Sequence, residues 1–278
     1  MQPVEISLII SFYNKLKELE LVLASCNKQK FNNFEVIIAD DGSSKEVTEK
    51  IKYQIQGKYS FPISHIWQED NGWQKNKILN KAIMHSRANY IVFIDGDCIL
   101  HPAFLLEHYK HRQDRILLAG RRVYIPEYIS LKLTPEFISK KNFHRMLFFY
   151  SLWYKIVFKQ GEHIENGIYL KNTFLRKFLN KNKKRKILGS NFSINKHDIL
   201  RLNGFDERYN GPGIGEDTDI YYRLTHDGGK VKMMKFIAVQ YHIHHNRRKH
   251  NPSNRQILES VIKNKTIRTE FGIEKMNP

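Results

Sequence analysis

Short apolar runs alternating with helical spacings organise the first 120 residues. Ile6-Ser-Leu-Ile-Ile10 and Glu35-Val-Ile-Ile-Ala39 are nearly continuous runs, while Leu16 to Cys26 carries apolar residues three and four apart. Runs of that length read as buried strands, and the three-and-four spacing reads as an amphipathic helix. The alternation continues with a strand expected at Ile63 to Trp67, a helix over roughly Lys75 to His85, and a fourth strand at Tyr90-Ile-Val-Phe-Ile94. Pro102 suits the first turn of another helix, which ends before a fifth strand around Ile116 to Ala119. Strands alternating with helices predict an α/β fold, a mainly parallel central sheet flanked by helices that binds its ligand across the C-terminal edge.

From Tyr124 the pattern changes. Residues 143 to 158 are rich in aromatic and aliphatic groups, and residues 171 to 186 hold eight Lys or Arg and no acid. Two readings stand: a buried helix followed by a solvated basic loop, or a segment lying on an anionic bilayer with its Lys groups facing head groups. Further on, Ile220 to His226 reads as helix and Lys230 to Val239 as one more strand.

With 278 residues, the chain can bury one substantial core with a smaller appended layer. Its 46 Lys and Arg outnumber 28 Asp and Glu, and a net charge of +18 favours phosphorylated substrates, anionic lipid or nucleic acid. No Gly-x-Gly-x-x-Gly or Walker A sequence is present, which argues against dinucleotide dehydrogenases and P-loop enzymes. Two cysteines, Cys26 and Cys98, are too few for a disulfide scaffold or a thiolate metal site and point to a reducing compartment. The N-terminus lacks a signal-peptide pattern, and no run reaches 18 apolar residues, so a cytoplasmic protein with at most peripheral membrane attachment is expected.

Two acidic clusters carry the candidate chemistry. Asp95-Gly96-Asp97 follows a buried strand, so its turn can direct one carboxylate to a divalent ion and the other to a ribose or a metal-bound water. Gly215-Glu216-Asp217-Thr218-Asp219 opens a helical stretch, whose N-terminus favours ionised carboxylates. Asp40 and Asp41 end the second strand, where one can meet a base or ribose while the other supports the turn. Phe12, Tyr13 and Asn14 follow the first strand and can complete a nucleotide cleft, although Asn14 also suits a helix cap. Trp73 can cover a sugar or lock its loop against the core. Tyr241-His242-Ile243-His244-His245 concentrates imidazoles, normal ligands for Mn²⁺, and Arg247, Arg248 and Lys249 adjoin it.

Taken in order, these segments resemble a family 2 glycosyltransferase of the GT-A fold. Ser11-Phe-Tyr-Asn14, Asp40-Asp-Gly-Ser43, Asn71-Gly-Trp-Gln-Lys-Asn76 and Asp95-Gly-Asp97 in the DxD position carry the resemblance over the first half. Gly189-Ser-Asn-Phe-Ser193, Asn203-Gly-Phe-Asp-Glu207 and Gly215 to Asp219 resemble the C-terminal segment of galactosyltransferase-like and chondroitin-polymerase-like members. The resemblance implies that Asp41 contacts the uracil or ribose side of a UDP-sugar, Asp95 the ribose or sugar, and Asp97 the metal, Mn²⁺ or Mg²⁺. It makes Asp217 the catalytic base, with Glu216 holding donor or acceptor hydroxyls. His242 falls on the metal-binding His, His245 on a His near the diphosphate, and Lys75 before Asn76 replaces a common Arg. The implied parts are a nucleotide-sugar-binding part (1–123), a variable basic and aromatic segment facing acceptor or membrane (124–188), a catalytic acceptor-side part (189–250) and a C-terminal helix or tail (251–278).

The expected activity is inverting transfer of a hexose or N-acetylhexosamine from a UDP-sugar to a glycan hydroxyl. The setting implied is bacterial surface polysaccharide synthesis at the cytoplasmic face of the inner membrane, with an oligosaccharide or lipid-linked glycan as acceptor. The alternatives are a sugar-phosphate nucleotidyltransferase and a basic RNA-binding protein. No RNP, KH or zinc-knuckle pattern accompanies the charge, so nucleic acid is not the expected partner.

Overall fold

The structure is a computed structural model and describes residues 3–179, 187–213, 215–246 and 251–275, with the backbone alone at 177–179 and 216. The first half runs β1 (Ile6–Phe12), α1 (Leu16–Cys26), β2 (Phe34–Asp40), α2 (Lys45–Lys50), β3 (Ile63–Trp67), α3 (Lys75–His85), β4 (Tyr90–Asp95), β5 (Cys98–Leu100), α4 (Phe104–His111), β6 (Ile116–Ala119) and β7 (Arg121–Tyr124). Helices α5 (Glu127–Lys132), α6 (Pro135–Ser139), α7 (Phe143–Phe158) and α8 (Thr173–Leu179) follow. The last part runs β8 (Asn191–Asn195), α9 (Lys196–Arg201), α10 (Glu216–His226), β9 (Lys230–Met233), β10 (Val239–His242) and α11 (Ser253–Lys263).

Among the described residues the large sheet has the order β3-β2-β1-β4-β8-β6-β9. Its first four strands are parallel, and β8 runs antiparallel to both neighbours. Both faces are covered at its centre, which is why β1, β2 and β4 are nearly continuous apolar runs rather than alternating ones. Ile6, Leu8 and Ile10 pack with Leu19 and Val22 of α1 and Phe104 of α4, whereas Ile9 packs with Ile78 and Ala82 of α3 and Ile220 and Leu224 of α10. Cys26 and Cys98 are buried free thiols.

A second sheet, β5-β10-β7, was not foreseen from the pattern. The strand expected over Lys230 to Val239 is two strands in different sheets. Between them Ile237 N and Ala238 N both donate to Met234 O, and Phe236 takes a φ of 69°, so the chain turns out of the large sheet into the small one. The helix at 143–158 forms, but only Phe143, Leu147 and Ser151 of it are buried. The basic run is helical as far as Leu179, and residues 180–186 lie outside the described residues.

Candidate active site

The small sheet brings distant residues to the end of β4. Strand β10 pairs antiparallel with β5, setting His242 opposite Cys98, and Ile243 N donates to Asp97 O at 2.9 Å. On its other side β10 runs parallel to β7, aligning Gln240 with Arg122 and His242 with Tyr124. Asp97, His242, Arg122 and Tyr124 thus meet through backbone pairing across more than 140 residues of chain. They line a cleft of about 1130 Å³ at the C-terminal edge of the parallel strands, together with Phe12, Tyr13, Lys15, Asp41, Trp73, Lys75, Asp95, Asp217, His244 and His245.

Asp97, His242 and His245 present ligand atoms within 4.8 Å of one another. His242 Nε2 lies 3.5 Å from Asp97 Oδ1, and His245 Nε2 3.3 Å from Oδ2. Burial alone would raise the Asp97 carboxyl, but the hydrogen bond from His245 and the charges of His242 and Lys15 hold it well below the usual carboxylate range. Burial pushes His242 down to about 4, so its imidazole is neutral at physiological pH, the form that binds metal. His242 Nδ1 is buried without a hydrogen-bond partner among the described residues. An ionised carboxylate flanked by two imidazoles, one already neutral, fits a divalent cation, and two nitrogen donors shift the preference from Mg²⁺ towards a transition-row ion such as Mn²⁺.

Asp95 is held differently. Its Oδ1 accepts from Ser11 Oγ at 2.9 Å and Lys75 Nζ at 3.0 Å, and Arg122 stands 3.8 Å from Oδ2. Burial would raise this carboxyl, and Lys75 and Arg122 bring it below its ordinary value. The Asp40 and Asp41 alternatives separate cleanly. Asp40 is fully buried, accepting from Ser43 N at 2.8 Å and pairing with His65 at 2.9 Å, so it supports the turn. Asp41 reaches the cleft, its oxygens fixed by Gln68 Nε2 at 2.7 Å and Gln74 N at 2.9 Å. Gly42 between strand and turn has a φ of +95°, and a Cβ there would sit 2.5 Å from Asp70 Cα. Tyr13 donates to Asp70 Oδ2 across the rim at 2.9 Å.

Asn14 and Asn76 are not among the described residues lining the cleft. Asn14, at a φ of 57°, ties two loops: its N–H donates to Ser43 Oγ at 2.8 Å and its Oδ1 accepts from Ser44 N at 2.9 Å. It does not cap α1. Asn76 is buried and donates to Asp206 O at 2.7 Å, clamping α3 to the C-terminal part.

Asp217 lines the same cleft from the first turn of α10. Its Oδ2 accepts from Gly189 N at 2.8 Å and its Oδ1 from Thr218 N at 2.7 Å, so backbone donors fix both oxygens of the carboxylate. Gly215, at a φ of +151°, packs where any Cβ would strike the Tyr209 ring, which explains the glycine before this helix. Two residues on, Asp219 is fully buried against Arg223, itself fully buried and donating to Leu202 O at 2.6 Å and Gly204 O at 2.8 Å. The Glu216 side chain and Arg247, Arg248 and Lys249 lie outside the described residues.

Among the cleft residues that sequence reasoning missed, three border Asp95, Asp97 or His242. Lys15 Nζ lies 3.5 Å from Asp97 Oδ2, and Tyr124 lines the wall beside His242. Arg122 donates to Tyr124 OH at 2.8 Å and Ser190 Oγ at 3.0 Å. For Arg122 and Tyr124 the one signal was the Arg-x-Tyr alternation after the Ile116 to Ala119 run, which places both side chains on one face of a strand; Lys15 had none.

Residues 7–188 match the model of glycosyl transferase family 2, and residues 172–246 match that of the N-terminal domain of galactosyltransferase. The chain is 28% identical to chondroitin synthase of Escherichia coli over 253 residues, 85% of this chain and 34% of that protein. It is 29% identical to hyaluronan synthase of Pasteurella multocida over 127 residues, 45% of this chain and 13% of that protein. The chain therefore spans about a third or less of these relatives' length. The fold is shared with a mannosyltransferase from Pyrobaculum calidifontis solved with GDP-Man and Mn²⁺, at a TM-score of 0.56 and 13% identity, over 94% of this chain and 70% of that one. Staphylococcus aureus TarS aligns at a TM-score of 0.54 and 16% identity, over 93% of this chain and 39% of that one.

Proposed function

The chain belongs to glycosyl transferase family 2, and from that premise we propose that it transfers a hexose or N-acetylhexosamine from a UDP-sugar to a glycan hydroxyl with inversion. The observation that carries this reading is one cleft holding both an Asp97, His242 and His245 cluster and a carboxylate, Asp217, fixed by backbone donors. Its similarity to polysaccharide synthases supports a place in bacterial surface polysaccharide synthesis; work at the cytoplasmic face of the membrane is part of the same proposal.

In this mechanism Asp41, Phe12 and Tyr13 border the nucleoside, and Lys75, Lys15 and Arg122 supply positive charge along the diphosphate. Asp97, His242 and His245 would hold Mn²⁺ or Mg²⁺, which neutralises the departing diphosphate. Asp217 takes the proton of the acceptor hydroxyl as its oxygen bonds to the anomeric carbon and the bond to UDP breaks. One displacement inverts the centre, so an α-linked donor yields a β-glycoside. Asp219 cannot share this role, because its charge is committed to Arg223 in the core. The division into a donor part (1–123), an acceptor or membrane segment (124–188), a catalytic part (189–250) and a C-terminal tail (251–278) belongs to the same proposal.

The test is a panel of UDP-glucose, UDP-galactose and their N-acetylated forms with Mn²⁺ and oligosaccharide acceptors, read by mass spectrometry and anomeric NMR. Added hexose or N-acetylhexosamine in a β-linkage, with release of UDP, is expected. Consumption of a sugar phosphate and a nucleoside triphosphate would replace the reading with nucleotidyl transfer, and an α-linked product would remove the inverting step.

A further inference from the structure

Helix α7 is largely apolar around its circumference, yet the protein covers one side. Phe143, Leu147 and Ser151 are buried, whereas Phe149, Tyr150, Trp153, Ile156 and Val157, grouped on the outer side at helical spacing, are between 49% and 69% exposed. A helix apolar all round is ordinarily enclosed by core or by lipid. The patch extends onto α5, where Tyr128 stacks on Tyr154 of α7 with ring centres 5.4 Å apart and Leu131 is 67% exposed.

Charge decides the occupant. Residues 137–161 contain Lys140, Lys141, Arg145, Lys155 and Lys159 and no Asp or Glu. A second copy docking through this face by a two-fold axis would set those cations against themselves, whereas an anionic bilayer complements them. Sixteen residues of helix span about 24 Å, short of the roughly 30 Å hydrocarbon core, so the helix is suited to lie in the interface rather than cross it. Among the described residues no helix is long and apolar enough to cross a membrane.

The helix is also joined to the cleft. From Phe158 the chain runs through Lys159 into Gln160, Gly161, Glu162 and His163, which line the cleft rim, and Lys155 Nζ donates to Gly161 O at 3.0 Å. We propose that α7 is an interfacial helix that docks on an anionic bilayer and holds this rim at the membrane, where the acceptor hydroxyl is presented on a lipid-borne saccharide. The docking stands on its own observations; only the nature of the acceptor rests on the transfer reading.

Flotation of the full chain with phosphatidylcholine vesicles, with and without phosphatidylglycerol, tests the docking without any nucleotide sugar. Binding to the anionic vesicles alone, weakening with salt, and quenching of Trp153 by lipids brominated along the acyl chain are expected, with Trp153→Phe keeping the binding and losing that quenching. A Phe149→Glu, Ile156→Glu double variant should lose vesicle affinity by on the order of 10-fold or more while keeping its melting temperature and its transfer to a water-soluble acceptor. Equal vesicle binding by the double variant, no binding by the parent chain, or a dimer that the double variant dissociates would each overturn the proposal. Lipid binding as described with no transfer to any acceptor would sink the transfer reading and leave the docking standing.

Discussion

The two acidic clusters look alike in the sequence and are put to different uses by the fold. In Asp95-Gly96-Asp97 both carboxylates face the cleft and meet basic side chains drawn from four places: Lys75 from α3, Arg122 from β7, Lys15 before α1, and the imidazoles at and after the end of β10. In the α10 cluster the helical turn divides the acids. Asp217 faces the cleft and is held by backbone donors, while Asp219, two residues on, is turned into the core against Arg223. A strand-end turn separates its two acids by one flexible glycine, so both stay at the edge; a helix rotates each residue by about 100°, so two positions apart is nearly the opposite side.

The largest expected effect falls on the first cluster. Asp97→Ala removes the one carboxylate between His242 and His245 and should lower turnover by on the order of 10³-fold while abolishing the Mn²⁺ dependence of UDP binding, read by calorimetry with a melting curve as control. Unchanged affinity and metal dependence would detach the cluster from the donor. In the second cluster, Asp219→Asn leaves the Arg223 guanidinium buried without a counter-charge and should cost about 3–5 kcal/mol of stability in denaturant titration. The surviving folded fraction should turn over normally. A rate defect without a stability loss would reverse the roles of Asp217 and Asp219.

This division was only partly legible beforehand. Strands β1, β2, β4 and β6 could be read because each is a largely buried apolar run, and glycine-containing acidic turns stood at the ends of β2 and β4; β3, Ile-Ser-His-Ile-Trp, is only half-buried and was placed by its spacing between helices. Strands β5, β7 and β10 are three or four residues long, too short to show a period, and pair only across distant stretches of chain. Hence Arg122 and Tyr124 were not expected in the cleft, and neither was Lys15, which precedes α1. Asn14 and Asn76 sit inside motifs that resemble a nucleotide site, but local backbone demands captured them: a turn brace in one case, a buried carbonyl in the other.

Smaller effects sharpen the first cluster. His245 is raised above its ordinary 6.5 by its hydrogen bond to Asp97, partly opposed by burial, whereas His242 is pushed down to about 4 by burial. A protonated His245 cannot donate its Nε2 lone pair, so Mn²⁺ affinity should fall about tenfold per pH unit as pH drops below the His245 value, and recover above it. His245→Gln should flatten that profile; a profile unchanged by this substitution would remove His245 from the cluster. Lys75 meets Asp95 through one Nζ contact, so Lys75→Arg keeps the charge and should alter donor affinity by about threefold or less. A gain of about tenfold would show that a guanidinium there reaches the diphosphate directly.

Asp217→Asn, with turnover measured at saturating donor and acceptor beside UDP-sugar affinity and a thermal melt, bears most directly on the claim that this carboxylate takes the acceptor's proton. The substitution keeps the size of the side chain and one carbonyl oxygen, enough for one of the two backbone donors, Gly189 N or Thr218 N, and replaces the other, basic oxygen by NH2. Turnover falling by on the order of 10²-fold or more, with donor affinity and melting temperature preserved, is the predicted result. Near-normal turnover in a folded, donor-binding variant would contradict the account and send the search for the base to Glu216.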